Sequence, residues 1–212
     1  EAGIEADKVE NIVFFEQIPQ LKGIHYLNEL YNYIRHERVV SIDYRNFENE
    51  LYHFVIHPYF LKEFNNRWYL YGKEASRGVI MNLALDRMEG VSAAEVPFCP
   101  RENINPETWF DEMVGVTRLP DQKTQRVVLR IGKPRAYYVL TKPLHHRQQF
   151  EKETETYMEF SYQLLLNKEL EAKILELGAD VEVLEPVALR NSIGEIARQM
   201  ALLHTSQRTE KV

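Results

Sequence analysis

Arg67-Trp68-Tyr69-Leu70-Tyr71-Gly72 is the densest aromatic stretch of the 212-residue chain. Aromatic and branched apolar side chains ended by a glycine are the signature of a strand. Asn65-Asn66, just before it, suits a tight hairpin, because asparagine tolerates the left-handed backbone such turns require. One apolar run, Phe54 to Leu61, precedes that turn, and another, Val79 to Leu85, follows the stretch. The pattern predicts a meander of short antiparallel strands with Trp68-Tyr69-Leu70 near its middle. Large apolar side chains in strands are usually core. Trp68 and Leu70 read first as core, although a barrel core can also present a ligand face at its edge.

Polar turns at Arg45 to Asn49, Asn65-Asn66 and Glu74 to Gly78 cut residues 39–93 into about five short strands. So many in so short a span point to a small closed or nearly closed barrel, since closure removes exposed edges. Upstream, Leu21, Ile24, Leu27, Leu30, Tyr31 and Ile34 recur at helical spacing and predict a helix of about 15 residues packed on the barrel. Residues 1–20 are acidic around Ile12-Val13-Phe14-Phe15 and read as a linker whose middle packs as a strand. Because the chain starts at Glu1 and not at methionine, further sequence is expected upstream.

Downstream, Pro97, Pro100 and Pro106 break regular structure through 94–123. Asn105-Pro106-Glu107 predicts a short helix carrying Trp109-Phe110, with Asn105 as N-cap. From Thr124 the rhythm predicts strand 125–131, helix 135–140, strands 148–152 and 157–165, helix 168–177 stopped by Gly178, strand 180–184 and a final helix after Pro186. That β-α-β-β-α-β order is the order of a ferredoxin-like sandwich with one added helix. The fold class is therefore α+β. Its divisions are a linker and helix over 1–36, a barrel over 37–95, a connector over 96–123, the sandwich over 124–205 and a tail over 206–212.

Composition excludes several classes. Hydrophobic residues make up 44% and charged residues 27%, ordinary values for a globular protein. No apolar run approaches the length of a membrane span, and no secretory signal is visible, so a cytoplasmic protein without membrane partners is expected. Cys99 is the only cysteine, which excludes an internal disulfide and leaves no zinc pattern. A net charge of −6 argues against a surface that binds nucleic acid everywhere, though not against a local basic pocket.

Catalytic patterns are weak. Ser41, Asp43 and His53 or His57 can be drawn as a triad, but no nucleophile-elbow glycines surround Ser41. Glu48/Glu50 and Glu153/Glu155 lie in polar turns, and no phosphate loop is present. Neither an enzyme nor a cofactor is expected. The better constellation is cationic and aromatic: Arg45, His53, His57, Arg67, Arg77 and Arg87 fall among Tyr44, Tyr52, Tyr59, Trp68, Tyr69 and Tyr71. Guanidinium groups bind phosphate bidentately and aromatic faces stack on bases. A nucleotide or single strand is thus a candidate ligand; ordinary surface charges paired with nearby acids are the bland alternative. A second patch, Lys133, Arg135, Lys142, His145, His146 and Arg147, reads as a solvated helix and loop, a ligand path or a dimer contact. Met200 and Leu203 on the last helix could equally serve dimerisation.

In this setting the Trp68-Tyr69-Leu70 triplet resembles the WYL domain of bacterial transcriptional regulators. His57-Pro58-Tyr59-Phe60-Leu61 stands where that family has its Pro-x-x-Leu-like strand. Leu85-Asp86-Arg87-Met88 looks like its Leu-Asp-Arg-Ile, and Val40-Ser41-Ile42-Asp43-Tyr44 like its first strand, which ends in tyrosine. The last third resembles the WCX extension of such regulators in element order and position.

The resemblance implies an Sm-like, SH3-type barrel over 37–95. It also implies a sensor that binds a nucleic-acid-type or other anionic ligand and signals to a winged helix-turn-helix reading operator DNA. Arg87 takes the ligand role first, joined by Tyr69 and Trp68 of the triplet and by Arg67, His57, His53, Tyr44, Arg45 and Arg77. Phe54 departs from the family, which usually has an arginine there; His53 and His57 flank it as weaker phosphate ligands. The helix ending at Arg35 lacks a second helix beside it, so the reading head is expected upstream and the chain is expected to form a homodimer. A single-strand-binding accessory module without switching is the alternative.

Overall fold

The computed structural model describes residues 22–102, 104–119 and 121–205. Leu21 and the acidic stretch with Ile12-Val13-Phe14-Phe15 lie outside the described residues. The chain divides into two compact units, Glu1–Arg101 and Glu102–Val212.

Unit 1 is one antiparallel sheet and one helix. The strands are β1 (Val40–Arg45), β2 (Leu51–Phe64), β3 (Arg67–Glu74), β4 (Ile80–Ala84) and β5 (Met88–Ala93), and the helix is α1 (Leu27–Arg35). The sheet order is β4-β3-β2-β1-β5. Asn65 and Asn66 take φ of 49° and 59°, the paired left-handed conformations of a tight hairpin turn, so β2 runs directly into β3. Strand alternation sends Val40, Ile42, Ile56 and Leu70 into a core completed by Leu30 of α1 and by Leu83, Leu85 and Met88.

Two expectations are corrected. The sheet does not close into a barrel: β4 and β5 stand at its two edges, and no ladder joins them. The 3-10 turn Leu85–Arg87 takes the chain out of extended conformation between them, and β5 pairs with β1 instead. The helix is also shorter than the spacing of its apolar residues predicts. Gly23 takes φ 80° and Ile24–Tyr26 form a 3-10 turn before α1 begins. A Cβ at Gly23 would fall 2.1 Å from the Leu85 carbonyl oxygen, so this entry is held against the turn after β4.

Unit 2 contains β6 (Gln125–Gly132), α2 (Arg135–Thr141), β7 (Gln149–Glu153), β8 (Tyr157–Leu164), α3 (Lys168–Leu175), β9 (Val181–Glu185) and α4 (Val187–Thr205). The element order is the one read from the sequence, and the antiparallel sheet runs β7-β8-β6-β9. One face of the central pair, with Val127, Leu129, Ile131, Met158, Phe160 and Leu164, is buried together with Ala136 and Val139 of α2, Leu170 and Ile174 of α3 and Leu189 of α4. The other face carries ion pairs, Arg126 with Glu151 and Glu185, and Arg130 with Glu159 and Glu182. The helix expected around Trp109 is a series of turns: the Asn105 side chain caps the Glu107 amide, but the hydrogen bonding does not continue as a helix. Asn167, at the N-cap of α3, accepts from the Leu170 amide and donates to the carbonyls of Val114 and Thr117 in the segment ahead of β6.

Candidate functional site

Arg87 ends the 3-10 turn between β4 and β5, and its side chain is held from several sides. Its Nε donates to the Arg45 carbonyl at 2.9 Å. Its guanidinium carbon lies 3.6 Å from the centroid of the Phe47 ring and 5.1 Å from that of Tyr44. Its Nη2 is buried and has no hydrogen-bond partner among the described residues. Cations over aromatic faces are held by the ring quadrupole, so the guanidinium plane is fixed while part of its donor capacity is unused. Phe47, in the β1–β2 turn, is 83% exposed.

The aromatic surface continues along β2. Tyr52 and Phe54 are parallel, with ring centroids 5.8 Å apart, and Phe54 lies 6.1 Å from Tyr44. The Arg77 guanidinium carbon sits 5.8 Å from the Phe54 ring centroid. Phe54 thus has a guanidinium beside its ring, brought there from the β3–β4 turn. Arg77 is oriented by Glu74, a buried carboxylate that also accepts from the backbone amides of Ser76 and Arg77 and from the Ser76 hydroxyl. Burial alone would raise the Glu74 pKa, but these hydrogen bonds outweigh it and hold the carboxyl below its ordinary range. Burial raises the Tyr44 phenol, partly offset by the charge of Arg87, and its hydroxyl accepts from the Ala84 amide.

The other predicted residues sit as follows. The Arg45 side chain pairs with both oxygens of Glu89, at 2.5 and 2.8 Å, and its carbonyl is what anchors Arg87. This pairing holds Glu89 below the usual carboxylate range. Arg67 pairs with Asp86 at 3.0 Å. Trp68 packs against the core, and Tyr69 stands opposite Lys62 and Ala84 in the ladders. His57 is buried; its Nδ1 accepts from the Cys99 amide at 3.1 Å, and its ring meets Phe98 edge-on. His57 thus secures the segment after β5 and is not gathered with Arg87. The structure brings Arg87, Tyr44 and Arg77 to one aromatic surface and engages Arg45, Arg67 and both histidines elsewhere. Phe47 is the residue the sequence reading missed; a single large apolar side chain in an otherwise polar turn was the available signal.

His53 forms a relay on the opposite face of β2. Its Nδ1 lies 2.9 Å from Asp43 Oδ1 and its Nε2 lies 2.8 Å from Ser41 Oγ. In the tautomer that carries its proton on Nδ1, the ring would donate to Asp43 and accept from the Ser41 hydroxyl at Nε2. Ser41 is paired with Val55 on one side and Ser92 on the other, so its strand amides serve the ladders and do not converge on an oxyanion. His53 and Asp43 are both at least half exposed. The relay has the proton path of a nucleophile without the stabilising donors beside it.

The basic patch of unit 2 resolves into internal pairs: Lys133 with Glu153, Arg135 with Asp180, and Arg147 and His146 with Asp111. Burial depresses His145. Among the described residues no group of three His, Cys, Asp or Glu side chains could hold a metal ion, and no helix is long and apolar enough to cross a membrane.

The open five-stranded sheet of unit 1 and the β-α-β-β-α-β unit that follows it correspond to two separate family models. The WYL domain model matches residues 25–93 and the WCX domain model residues 123–201. The chain is thus a WYL-domain protein, with a WYL domain followed by a WCX domain. Among solved structures it is similar to proteasome accessory factor B/C (PafBC) of Arthrobacter aurescens, at 17% identity over 85% of this chain and 28% of that one, with a TM-score of 0.38. It is also similar to a CRISPR Cas-related protein, at 14% identity over 86% of this chain and 52% of that one, with a TM-score of 0.49. The chain thus spans about a quarter and about half of the length of these two. No curated protein matches it.

Proposed function

We propose that unit 1 binds a nucleic-acid-type anionic ligand across Arg87 and the Tyr44–Phe47–Phe54 surface, and that this chain is the sensing and dimerisation part of its regulator. One observation carries the reading: Arg87 is held between Phe47 and Tyr44 with Nη2 unpaired. A guanidinium fixed in plane beside exposed aromatic rings suits a phosphate and its adjoining base. Arg77 over Phe54 supplies a second guanidinium along the same surface. Occupancy would be passed to a DNA-reading helix-turn-helix elsewhere in the regulator, through a differential affinity of the ligand for two geometries of the dimer. In unit 2 the ferredoxin-like sandwich is the scaffold for that coupling.

Binding of a fluorescent single-stranded oligonucleotide to the purified chain at two salt concentrations tests the reading. Micromolar or tighter binding that weakens with salt and is lost in Arg87→Glu supports it. Affinity unchanged in Arg87→Glu removes the site.

The exposed rings of Phe47 and Tyr52 favour a second reading, a single-strand-binding module without switching. Its affinity would rise with oligonucleotide length, whereas a small-ligand sensor saturates with little dependence on length.

A further inference from the structure

Unit 2 carries an open cleft of about 640 Å³ lined by Asn105, Trp109, Asp111, Glu112, Arg118 and Arg147, among others. That volume lies within the roughly 300–1,000 Å³ of small-molecule sites. The two arginines reach it from separate segments, Arg118 from the turns that precede β6 and Arg147 from the loop between α2 and β7.

Neither guanidinium is saturated. Arg118 Nη2 donates to the Trp109 carbonyl at 2.9 Å and, at 3.4 Å, to Glu112, while its Nε is buried with no hydrogen-bond partner among the described residues. Arg147 Nη2 donates to Asp111 at 2.9 Å, and the guanidinium remains nearly half exposed. The Arg118 guanidinium carbon lies 4.5 Å from the Trp109 ring centroid, which fixes its plane. The Trp109 indole Nε1 is likewise buried without an acceptor. Buried N–H groups are rarely left unpaired. Both belong to residues that line the cleft, and the two guanidinium groups beside them remain partly open to solvent.

We propose that this cleft is a second ligand site, for a small compound bearing a carboxylate or phosphate oxyanion held by Arg118 and Arg147. Guanidinium forks match such oxyanions bidentately. Trp109 and Ile104 offer the apolar wall for the remainder of the ligand. Asp111 competes with the ligand for Arg147, so affinity is set by exchange of one acceptor for another. The site lies wholly in unit 2 and stands whether or not unit 1 binds nucleic acid.

The test is calorimetric titration of the purified chain with inorganic phosphate and with citrate, repeated on Arg147→Gln and Asp111→Asn. Saturable binding is expected. Arg147→Gln should weaken it about tenfold or more, as loss of a charge-assisted hydrogen bond implies, and Asp111→Asn should tighten it. Both variants change partly exposed side chains, and circular dichroism checks that they fold. Heats that never saturate, or equal affinities in all three proteins, would overturn the proposal. So would competition by chloride at equal concentration, which would mark screening and not a site.

Discussion

The Arg87 guanidinium carbon lies 3.6 Å from the centroid of a phenyl ring, Phe47, that is 83% exposed. A ring so exposed contributes little core burial, so Phe47→Ala should change unfolding stability by only about 0.5–1 kcal/mol, mostly the exposed cation–π contact. Base stacking on an aromatic side chain is worth about 1–3 kcal/mol, so the same change should weaken oligonucleotide binding by roughly 5- to 150-fold. Anisotropy titration and thermal melts on the one variant separate the two effects. A large loss of stability with unaltered binding would make Phe47 structural.

Salt dependence gives a count of contacts. For single strands the slope of log affinity against log salt is about −0.7 per phosphate neutralised. If Arg87 and Arg77 each engage a phosphate, the slope should be about −1.4, and each alanine variant should reduce its size by about 0.7. An unchanged slope in Arg77→Ala would confine the contact to Arg87 and leave Arg77 as the partner of Glu74.

What was legible in the sequence was local. Asn65-Asn66 gave away its hairpin because two left-handed residues leave few other conformations. The helix expected to run to 177 ends earlier, at Leu175, and Gly178, at φ 64°, opens a 3-10 turn two residues past its C-cap Glu176. Sheet closure was not legible, because it depends on whether β4 meets β5, and the three residues Leu85–Arg87 decide that by a turn of no distinctive composition. Apolar spacing could not show that Gly23 interrupts the helix ahead of Leu27. The Arg87–Phe47 contact was hidden for a similar reason: it joins residues far apart in sequence, and the β1–β5 pairing, with Tyr44 opposite Met88, is what brings the β1–β2 turn to Arg87. The β1–β2 register sets Asp43 opposite His53, so the relay with Ser41 was visible as residue types but not as geometry.

Gly72, at the end of the aromatic stretch, should not tolerate a side chain. A Cβ there would fall 2.4 Å from Ile56 Cγ2 and 2.5 Å from the His57 carbonyl oxygen. The second neighbour is backbone in a paired strand and cannot move alone. Gly72→Ala should therefore destabilise unit 1 by about 1–3 kcal/mol, the usual range for overpacking. Urea unfolding of the variant measures it. A neutral result would mean that the β2 bulge between Pro58 and Phe60 absorbs the methyl group.

Asn167 ties the start of α3 to the connector of unit 2. Its side chain accepts from the Leu170 amide at 2.9 Å and donates to the Val114 and Thr117 carbonyls at 2.8 and 2.9 Å. Asn167→Asp keeps the cap acceptor but sets a carboxylate against two carbonyls. Asn167→Ala loses all three bonds and leaves buried groups unpaired. Each unmet buried group costs about 1–3 kcal/mol. Both variants should therefore melt well below the parent, and aspartate should not rescue alanine as it does at an ordinary N-cap. Rescue by aspartate would show that only the cap matters.

His57 should make unit 1 sensitive to mild acid. Burial, with the charge of Lys73 adding to it, depresses its pKa below the ordinary value of about 6.5. Its Nδ1 accepts from the Cys99 amide at 3.1 Å, which only the neutral ring can do. The unfolded chain therefore takes up the proton more readily than the folded one. Stability is complete above about pH 6.5 and falls as pH drops below that value, until the folded pKa is reached. The protection factor of the Cys99 amide should fall as pH approaches the folded pKa, because protonation converts its acceptor into a donor. His145 is also depressed by burial and adds a slope of its own in unit 2. His57→Gln retains an acceptor oxygen and does not titrate, so the difference between parent and variant isolates His57. Urea midpoints at about pH 7 and about pH 5 should converge in the variant relative to the parent. Equal shifts in both proteins, with Cys99 exchange unaltered, would locate the acid sensitivity elsewhere.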